Sequence, residues 1–243
     1  MNDAASRRPA TPQRAEVHAP GGLLGLPRAF ASRLLEKATT VILEEGQVLC
    51  ERGDPGDGCY WLQQGVLKVV LRSPTGEQRI VAVLGTGAVV GEMAMIDGLA
   101  RSATVIAMRL CRLSFVHRNV FLEALKREPH INEYLVATLA RRLRHADDEA
   151  AAASFLSVPA RVARAVLQLA EHLGERSAGD DDQVVVRHNL RQSDLAALAG
   201  VARESVSRTI SRWRKADVLA MPDRTTYRFS RAKMQAEAQT HEA

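Results

Sequence analysis

Residues 91–103 read GEMAMIDGLARSA, and their polar groups suggest one chemistry. The pair Gly91-Glu92 is followed, nine residues after Glu92, by Arg101-Ser102-Ala103, with Met93 just after the first block. Arginine offers a planar fork of donors that matches an anionic phosphate. A serine hydroxyl adds a neutral donor to the same oxygens, and a glutamate carboxylate can accept from a ribose hydroxyl. At a glycine the backbone N–H can come close, because no Cβ intervenes. Together these are the groups needed to hold a ribose phosphate.

A second set lies at 192–214, QSDLAALAGVARESVSRTISRWR, with the spacing of a helix-turn-helix. Leu195, Ala196 and Ala199 fall on one face of a first helix, and Ala196 is small where a second helix must approach. Gly200 suits a left-handed turn. Val206 and Ile210 direct the apolar side of the second helix to the same core, leaving Arg203, Glu204, Ser207, Arg208 and, further along, Arg212 on the other side. In a major groove, arginine can bind guanine O6 and N7 together, and glutamate can accept from cytosine N4. The N-terminal part of such a helix is what reaches base edges. Gln192, Ser193 and Ser205 join these residues as candidate DNA contacts, whereas Arg212, Arg214 and Lys215 are placed for phosphates or solvent. Residues 218–229, VLAMPDRTTYRF, form two short strand-like pieces around Pro222-Asp223, which predicts a wing.

The elements that must position these groups change character along the chain. Residues 31–38 predict a short amphipathic helix. From 39 to about 115, short runs rich in Val, Ile and Leu alternate with Gly, Pro and Asp, the pattern of an antiparallel roll or barrel. Gly53, Gly56, Gly58, Gly65, Gly76, Gly85 and Gly87 are expected where hairpins need positive φ, with 73–76 a turn. A helix is expected over 119–127, stopped by Pro129. A long one follows from near His130, with Ile131, Leu135, Thr138, Leu139 and Leu143 as a stripe that could pack on its own barrel or on a second copy. It should end near 154–155. Ser157 as N-cap and Pro159 then open a helix over 158–173. Residues 174–182 are expected to be a polar loop, and 184–187 a strand.

Composition narrows the function. A formal charge of +5 over 243 residues permits an anionic partner without requiring one. With aromatics at 4%, a stacking platform for single strands is poorly supported. No apolar run is long enough for a transmembrane helix. The N-terminal residues, including Arg7, Arg8 and Arg14, lack the apolar core of a signal peptide and read as a disordered basic arm. Cys50, Cys59 and Cys111 form no CxxC pair and read as buried, reduced thiols of a cytoplasmic protein. The run 180–182 is three aspartates without a nearby His or Cys, so it reads as a solvated turn and not a metal site. No nucleophile–base pair stands out, so no catalytic activity is expected.

The order of β-roll with phosphate cassette, long helix, hinge and winged helix-turn-helix resembles the Crp–Fnr superfamily of bacterial transcription regulators, over about residues 27–231. The resemblance implies an α+β chain: a disordered basic arm over 1–26, a cyclic-nucleotide-binding β-roll over 27–128, a dimerisation helix and hinge over 129–157, and a winged helix-turn-helix domain over 158–243. It also implies that Gly91 and Glu92 face the ribose and phosphate, with Met93 and Ala103 beside them. Arg101 and Ser102 would clamp the cyclic phosphate, and Arg142 would reach the pocket from the dimer helix.

Where cyclic-AMP binders of the family place Thr-Ser against the adenine amino group, this chain has Ala146 and Asp147. Ala146 offers no hydroxyl. Asp147 could accept from an adenine amino group, or from guanine N1–H and N2–H, or could instead face solvent or pair with an arginine such as Arg144 or Arg141. Cyclic AMP is therefore the expected effector, with cyclic GMP open, and no metal is implied. The implied partners are a second copy along the long helix, double-stranded DNA with palindromic TGTGA-type half-sites read by residues 203–208, and RNA polymerase. No membrane is implied. Two alternatives remain open: the same DNA module with another signal, such as cyclic di-GMP, or with no ligand at all, and a thiol switch. The arm has no cysteine cluster of the kind that the family's iron–sulfur sensors use, and the histidines lack the Cys-x-His arrangement of its haem sensors.

Overall fold

The computed structural model describes residues 28–177, 180–188 and 190–240; the expected basic arm over 1–26 lies outside them. Helix α1 (Arg28–Glu36) leads into β1 (Thr39–Leu43), β2 (Val48–Cys50), β3 (Gly58–Gln64), β4 (Leu67–Arg72), β5 (Gln78–Leu84) and β6 (Val89–Val90). A short helix α2 (Glu92–Asp97) precedes β7 (Thr104–Ala107) and β8 (Cys111–His117). These strands form two four-stranded sheets, ordered β1-β8-β3-β6 and β2-β7-β4-β5, in which every pairing is antiparallel. Leu62, Leu67, Val105, Cys111 and Leu113 fill the space between them. This is the β-roll expected from the alternating runs, because β-branched residues pack well on a pleated, half-buried surface.

Four of the seven glycines expected at positive φ adopt it: Gly53, Gly65, Gly76 and Gly87. Gly56, Gly58 and Gly85 do not. At Gly58 the reason for glycine is space, since a Cβ would run into the Val116 carbonyl oxygen and sit 2.8 Å from the Phe115 ring.

Helix α3 (Arg118–Arg127) packs Phe121 edge-on to Phe30 of α1, with ring centroids 6.4 Å apart. The long helix α4 (Ile131–Phe155) follows. Its apolar stripe divides: Ile131 and Leu135 are buried against the roll, but Leu139 and Leu143 are exposed, Leu143 by 65%, together with Val136. In a single chain Leu139 and Leu143, the distal members of the stripe, face solvent.

Ser157 caps α5 (Val158–Leu173), its hydroxyl accepting from the Ala160 N–H at 3.4 Å. The expected polar loop at 174–182 is instead mostly a hairpin of β9 (Gly174–Ser177) and β10 (Asp180–Arg187). A strand needs only ladder bonds and one apolar face, and Val184 and Val186 provide that face while the polar residues extend it. Asp182 is not part of a solvated turn: its carboxylate accepts from the Ser230 hydroxyl and from the Ala232 N–H at 2.9 Å. Among the described residues no acidic, His or Cys cluster could hold a metal ion.

Helices α6 (Gln192–Ala199) and α7 (Arg203–Lys215) turn at Gly200, which has a φ of 63°. Strands β11 (Leu219–Asp223) and β12 (Thr226–Ser230) then build a sheet ordered β11-β12-β10-β9. A last helix, α8 (Arg231–Glu237), was not expected from the sequence. It buries Met234, and Glu237 Oε2 accepts from Trp213 Nε1 at 2.8 Å.

One apolar cluster runs from this C-terminal region into the roll. Val166, Leu169, Leu195, Ile210 and Trp213 pack in one body with Val70, Ile80 and Val83. Polar contacts flank it: Lys68 Nζ lies 2.9 Å from Asp194 Oδ1, and Arg109 Nη2 donates to the Arg187 carbonyl at 2.7 Å. No described helix is long and apolar enough to cross a membrane.

Candidate ligand pocket and nucleic-acid interface

The cassette is shaped by two left-handed glycines. Gly91, with a φ of 81°, turns β6 into α2, and Gly98, with a φ of 76°, ends that helix. Gly91 is also needed for room, because a Cβ would run into the Arg101 guanidinium. Glu92 is buried at the start of α2.

Arg101 is only 5% exposed. Its Nη1 donates to the Gly58 carbonyl at 2.6 Å and to the Gly91 carbonyl at 3.3 Å, and its Nη2 lies 3.1 Å from Asp57 Oδ1. Its Cζ stands 5.5 Å from the centre of the Tyr60 ring. The buried Nε has no partner. A buried donor left unpaired is uncommon in folded proteins, and an anionic oxygen would satisfy it strongly. The guanidinium is thus held at both terminal nitrogens while its buried Nε–H is left over.

Gly91, Glu92, Met93, Arg101, Ser102 and Ala103 line one cavity of about 960 Å³. Ala146 of α4 joins them from the other side. Asp147, next to it, is exposed and does not line the cavity. The Arg142 side chain lies outside the described residues. Sequence reasoning missed Asp57 and Tyr60, and it missed the far wall, which is supplied by Arg161, Arg164, Gln168 and His172 of α5. No local signal marks these residues, since only the docking of α5 against the roll brings them there.

The electrostatics fit a site for a charged ligand that is partly shielded from water. Burial raises the Tyr60 phenol above its usual range while Arg101 pulls the other way, and burial lowers His172. The same cause disfavours the thiolate form of the three cysteines. Burial pushes Cys59 up to about 12 and also raises Cys50 and Cys111.

On the other side of the C-terminal region, α7 presents Arg203, Glu204, Ser207 and Arg208 to solvent, while Val206, Ile210 and Trp213 are buried. Ser205 is half-buried and its hydroxyl accepts from Arg208 Nη2 at 3.2 Å. Gln192 and Ser193 open α6, Ser193 exposed. Arg212 is not free: its Nη2 lies 3.0 Å from Glu237 Oε2. The exposed polar groups Arg203, Glu204, Ser207 and Arg208 therefore fall on the first two turns of α7, clear of that ion pair.

Residues 40–128 match the cyclic nucleotide-binding domain family, and residues 160–232 match the Crp-like helix-turn-helix domain family. The chain is 35% identical over 166 residues to the cyclic AMP receptor protein of Thermus thermophilus, covering 68% of this chain and 72% of that protein. It is 29% identical over 197 residues to the CRP-like cAMP-activated global transcriptional regulator of Mycobacterium tuberculosis, covering 81% of this chain and 87% of the relative. Among solved structures, FixK2 from Bradyrhizobium japonicum shares the fold with a TM-score of 0.71 at 20% identity, over 85% of this chain and 98% of that one. The c-di-GMP responsive regulator CLP of Xanthomonas campestris does so with a TM-score of 0.71 at 18% identity, over 84% of this chain and 100% of that one. With a cyclic nucleotide-binding roll followed by a Crp-like helix-turn-helix, the chain belongs to the Crp–Fnr family of transcriptional regulators.

Proposed function

We propose that the protein is a homodimeric transcription regulator whose affinity for a palindromic TGTGA-type operator is set by a cyclic nucleotide bound in the β-roll. Cyclic AMP is the favoured effector, ahead of cyclic GMP, and the regulator acts with RNA polymerase in the cytoplasm. The observation that carries this reading is the buried Arg101, caged by Gly58, Gly91 and Asp57 with its Nε unpaired, in a cavity shared with Glu92 and Ser102.

In this reading Arg101 and Ser102 hold the cyclic phosphate, Glu92 accepts from the ribose hydroxyl, and Gly91 lets the backbone close on the ligand. Ala146 meets the base side. Asp147 is exposed on α4 and so leaves base selection within one chain to other groups. An effector shifts an equilibrium only by binding one state more tightly. The cavity supports such a difference because its walls come from both the roll and α5, so a change in domain arrangement alters the site. Dimerisation through the exposed part of α4 would place two α7 helices about one DNA turn apart, roughly 34 Å. A thiol switch fits poorly with three buried cysteines whose pKa values burial raises.

The test is calorimetric titration with cyclic AMP and cyclic GMP, free and with a palindromic TGTGA duplex, on the native protein and on Arg101→Gln. Saturable binding of one mononucleotide, tighter DNA binding in its presence and loss of both effects in Arg101→Gln are expected. DNA binding that ignores both nucleotides would overturn the reading.

A further inference from the structure

Only Leu156 and Ser157 separate α4 from α5. Both are extended, with φ and ψ of −91° and 141° at Leu156 and of −59° and 156° at Ser157. The pair interrupts the helical ladder, so any turn of α5 against α4 is absorbed here or in the first turn of α5. That first turn is a weak place, because its N–H groups have no carbonyl partners within the helix.

Ser157 is held from the far end of the chain. The Thr240 carbonyl accepts from the Ser157 N–H at 3.3 Å and from the Ser157 hydroxyl at 3.0 Å. The same hydroxyl accepts from the Ala160 N–H at 3.4 Å. These bonds coexist, because a carbonyl oxygen has two lone pairs and a hydroxyl can donate while it accepts. Thr240 follows α8, and α8 is itself anchored. The Ser230 hydroxyl accepts from the Lys233 N–H at 3.1 Å, Met234 is buried, and Glu237 Oε2 accepts from Trp213 Nε1 at 2.8 Å. Trp213 is a buried residue of α7. A chain of contacts thus runs from the start of α5 through Thr240 and Glu237 to α7. Its C-terminal members lie beyond β12, outside the helix-turn-helix and its wing.

We propose that residues 231–240 act as a clasp that joins Ser157 and α7 into one rigid unit, with Thr240 and Glu237 as its positioning residues. The clasp confines the pivot to Leu156, so that a turn of α5 is carried undiminished to Arg203, Glu204 and Arg208. The proposal rests on the reading of the protein as a nucleotide-gated regulator. Without the clasp, fraying of the first turn of α5 absorbs part of the movement. The nucleotide-bound and nucleotide-free states then differ less in DNA affinity, which is a smaller coupling between the two ligands. Ser157, Glu237 and Thr240 do not line the cavity of Arg101, so cyclic nucleotide affinity is left alone.

The experiment compares the native protein, Ser157→Asp, Ser157→Thr and a chain lacking residues 239–243, with circular dichroism as the folding control. Aspartate keeps an N-cap acceptor for the Ala160 N–H but has no hydroxyl to donate to Thr240, whereas threonine keeps both. Fluorescence anisotropy gives the affinity for a TGTGA duplex with and without saturating cyclic AMP, and calorimetry gives the affinity for cyclic AMP. The enhancement of DNA binding by cyclic AMP should fall about fivefold or more in Ser157→Asp and in the shortened chain, and stay near native in Ser157→Thr. Cyclic AMP affinity should be unchanged in all. Hydrogen exchange over residues 155–160 should be about tenfold faster in the shortened chain. An unchanged enhancement or unchanged exchange in the shortened chain would overturn the clasp, and so would a loss of cyclic AMP affinity, which would place the segment in the ligand site. A native protein whose DNA binding ignores cyclic AMP and cyclic GMP would bring down the gated reading and the clasp's role with it. An enhancement present in the native protein but unchanged in the variants would overturn the clasp alone.

Discussion

Asp57 Oδ1 lies 3.1 Å from Arg101 Nη2, pairing an Asp side chain that is 60% exposed with an Arg side chain that is 4% exposed. The pair joins the loop before β3 to the cassette and places a negative charge beside the group read here as the phosphate anchor. Replacing Asp57 with Asn keeps the shape and removes that charge. Such partly exposed pairs contribute about 0.2–1 kcal/mol. We expect Asp57→Asn to bind cyclic AMP about two- to fivefold more tightly, measured by calorimetry. Weaker binding would make Asp57 a member of the phosphate clamp and not its competitor.

The exposed face of α7 makes a contrast between two arginines. Arg203 is exposed at the start of α7, whereas Arg212 is paired with Glu237. Arg203→Ala should cost about 1–3 kcal/mol on a TGTGA duplex and lose discrimination at one base pair. Arg212→Ala should weaken binding less and equally for all sequences. Fluorescence anisotropy on a set of single-base variants of the duplex separates the two patterns.

The exposed distal stripe of α4 predicts association. Val136 and Leu143 are 64% and 65% exposed, on a helix whose first turns are already buried on the roll. Leu143→Arg should convert a dimer into a monomer in light scattering and lower DNA affinity at least tenfold, because two half-sites are then no longer read together. A Leu143→Arg protein that stays dimeric would place the interface elsewhere.

Acid should destabilise the protein from near neutrality. His188 is 5% exposed, its Nδ1 accepts from the Leu190 N–H at 3.2 Å, and its Nε2 is buried without a partner. Burial is the main cause that lowers its pKa from the usual 6.5. The unfolded chain therefore binds a proton first as pH falls. This stabilisation is complete above 6.5 and is lost progressively below it, down through the folded-state value. Thermal melts at pH 7.5 and 5.5 should differ by a few degrees more in the native protein than in His188→Gln. Equal pH slopes in both proteins would show that His188 does not carry the effect.

The cassette and the helix-turn-helix were legible in the sequence because each is contiguous. Gly91, Glu92 and Arg101 fall within one short segment, and Leu195, Ala199, Val206 and Ile210 recur at helical spacing, so local periodicity already states which side is buried and which chemistry is left outside. The same reasoning located the roll, the long helix and the Ser157 cap. It erred at residues 174–182, where pairing of β9 with β10 outweighed a polar composition, and at Gly56, Gly58 and Gly85, where close approach and not positive φ is the constraint. Helix α8 and the capture of Arg212 by Glu237 lay beyond the recognisable motif. The tertiary structure alone decided that α5 walls the cavity, that Asp57 and Gly58 cage Arg101, that Arg79 meets Gly200, and that Ala146 faces the cavity while Asp147 does not. The physical reason is that periodicity fixes the buried face of each element, whereas the partner of that face is chosen by long-range packing between segments far apart in the chain.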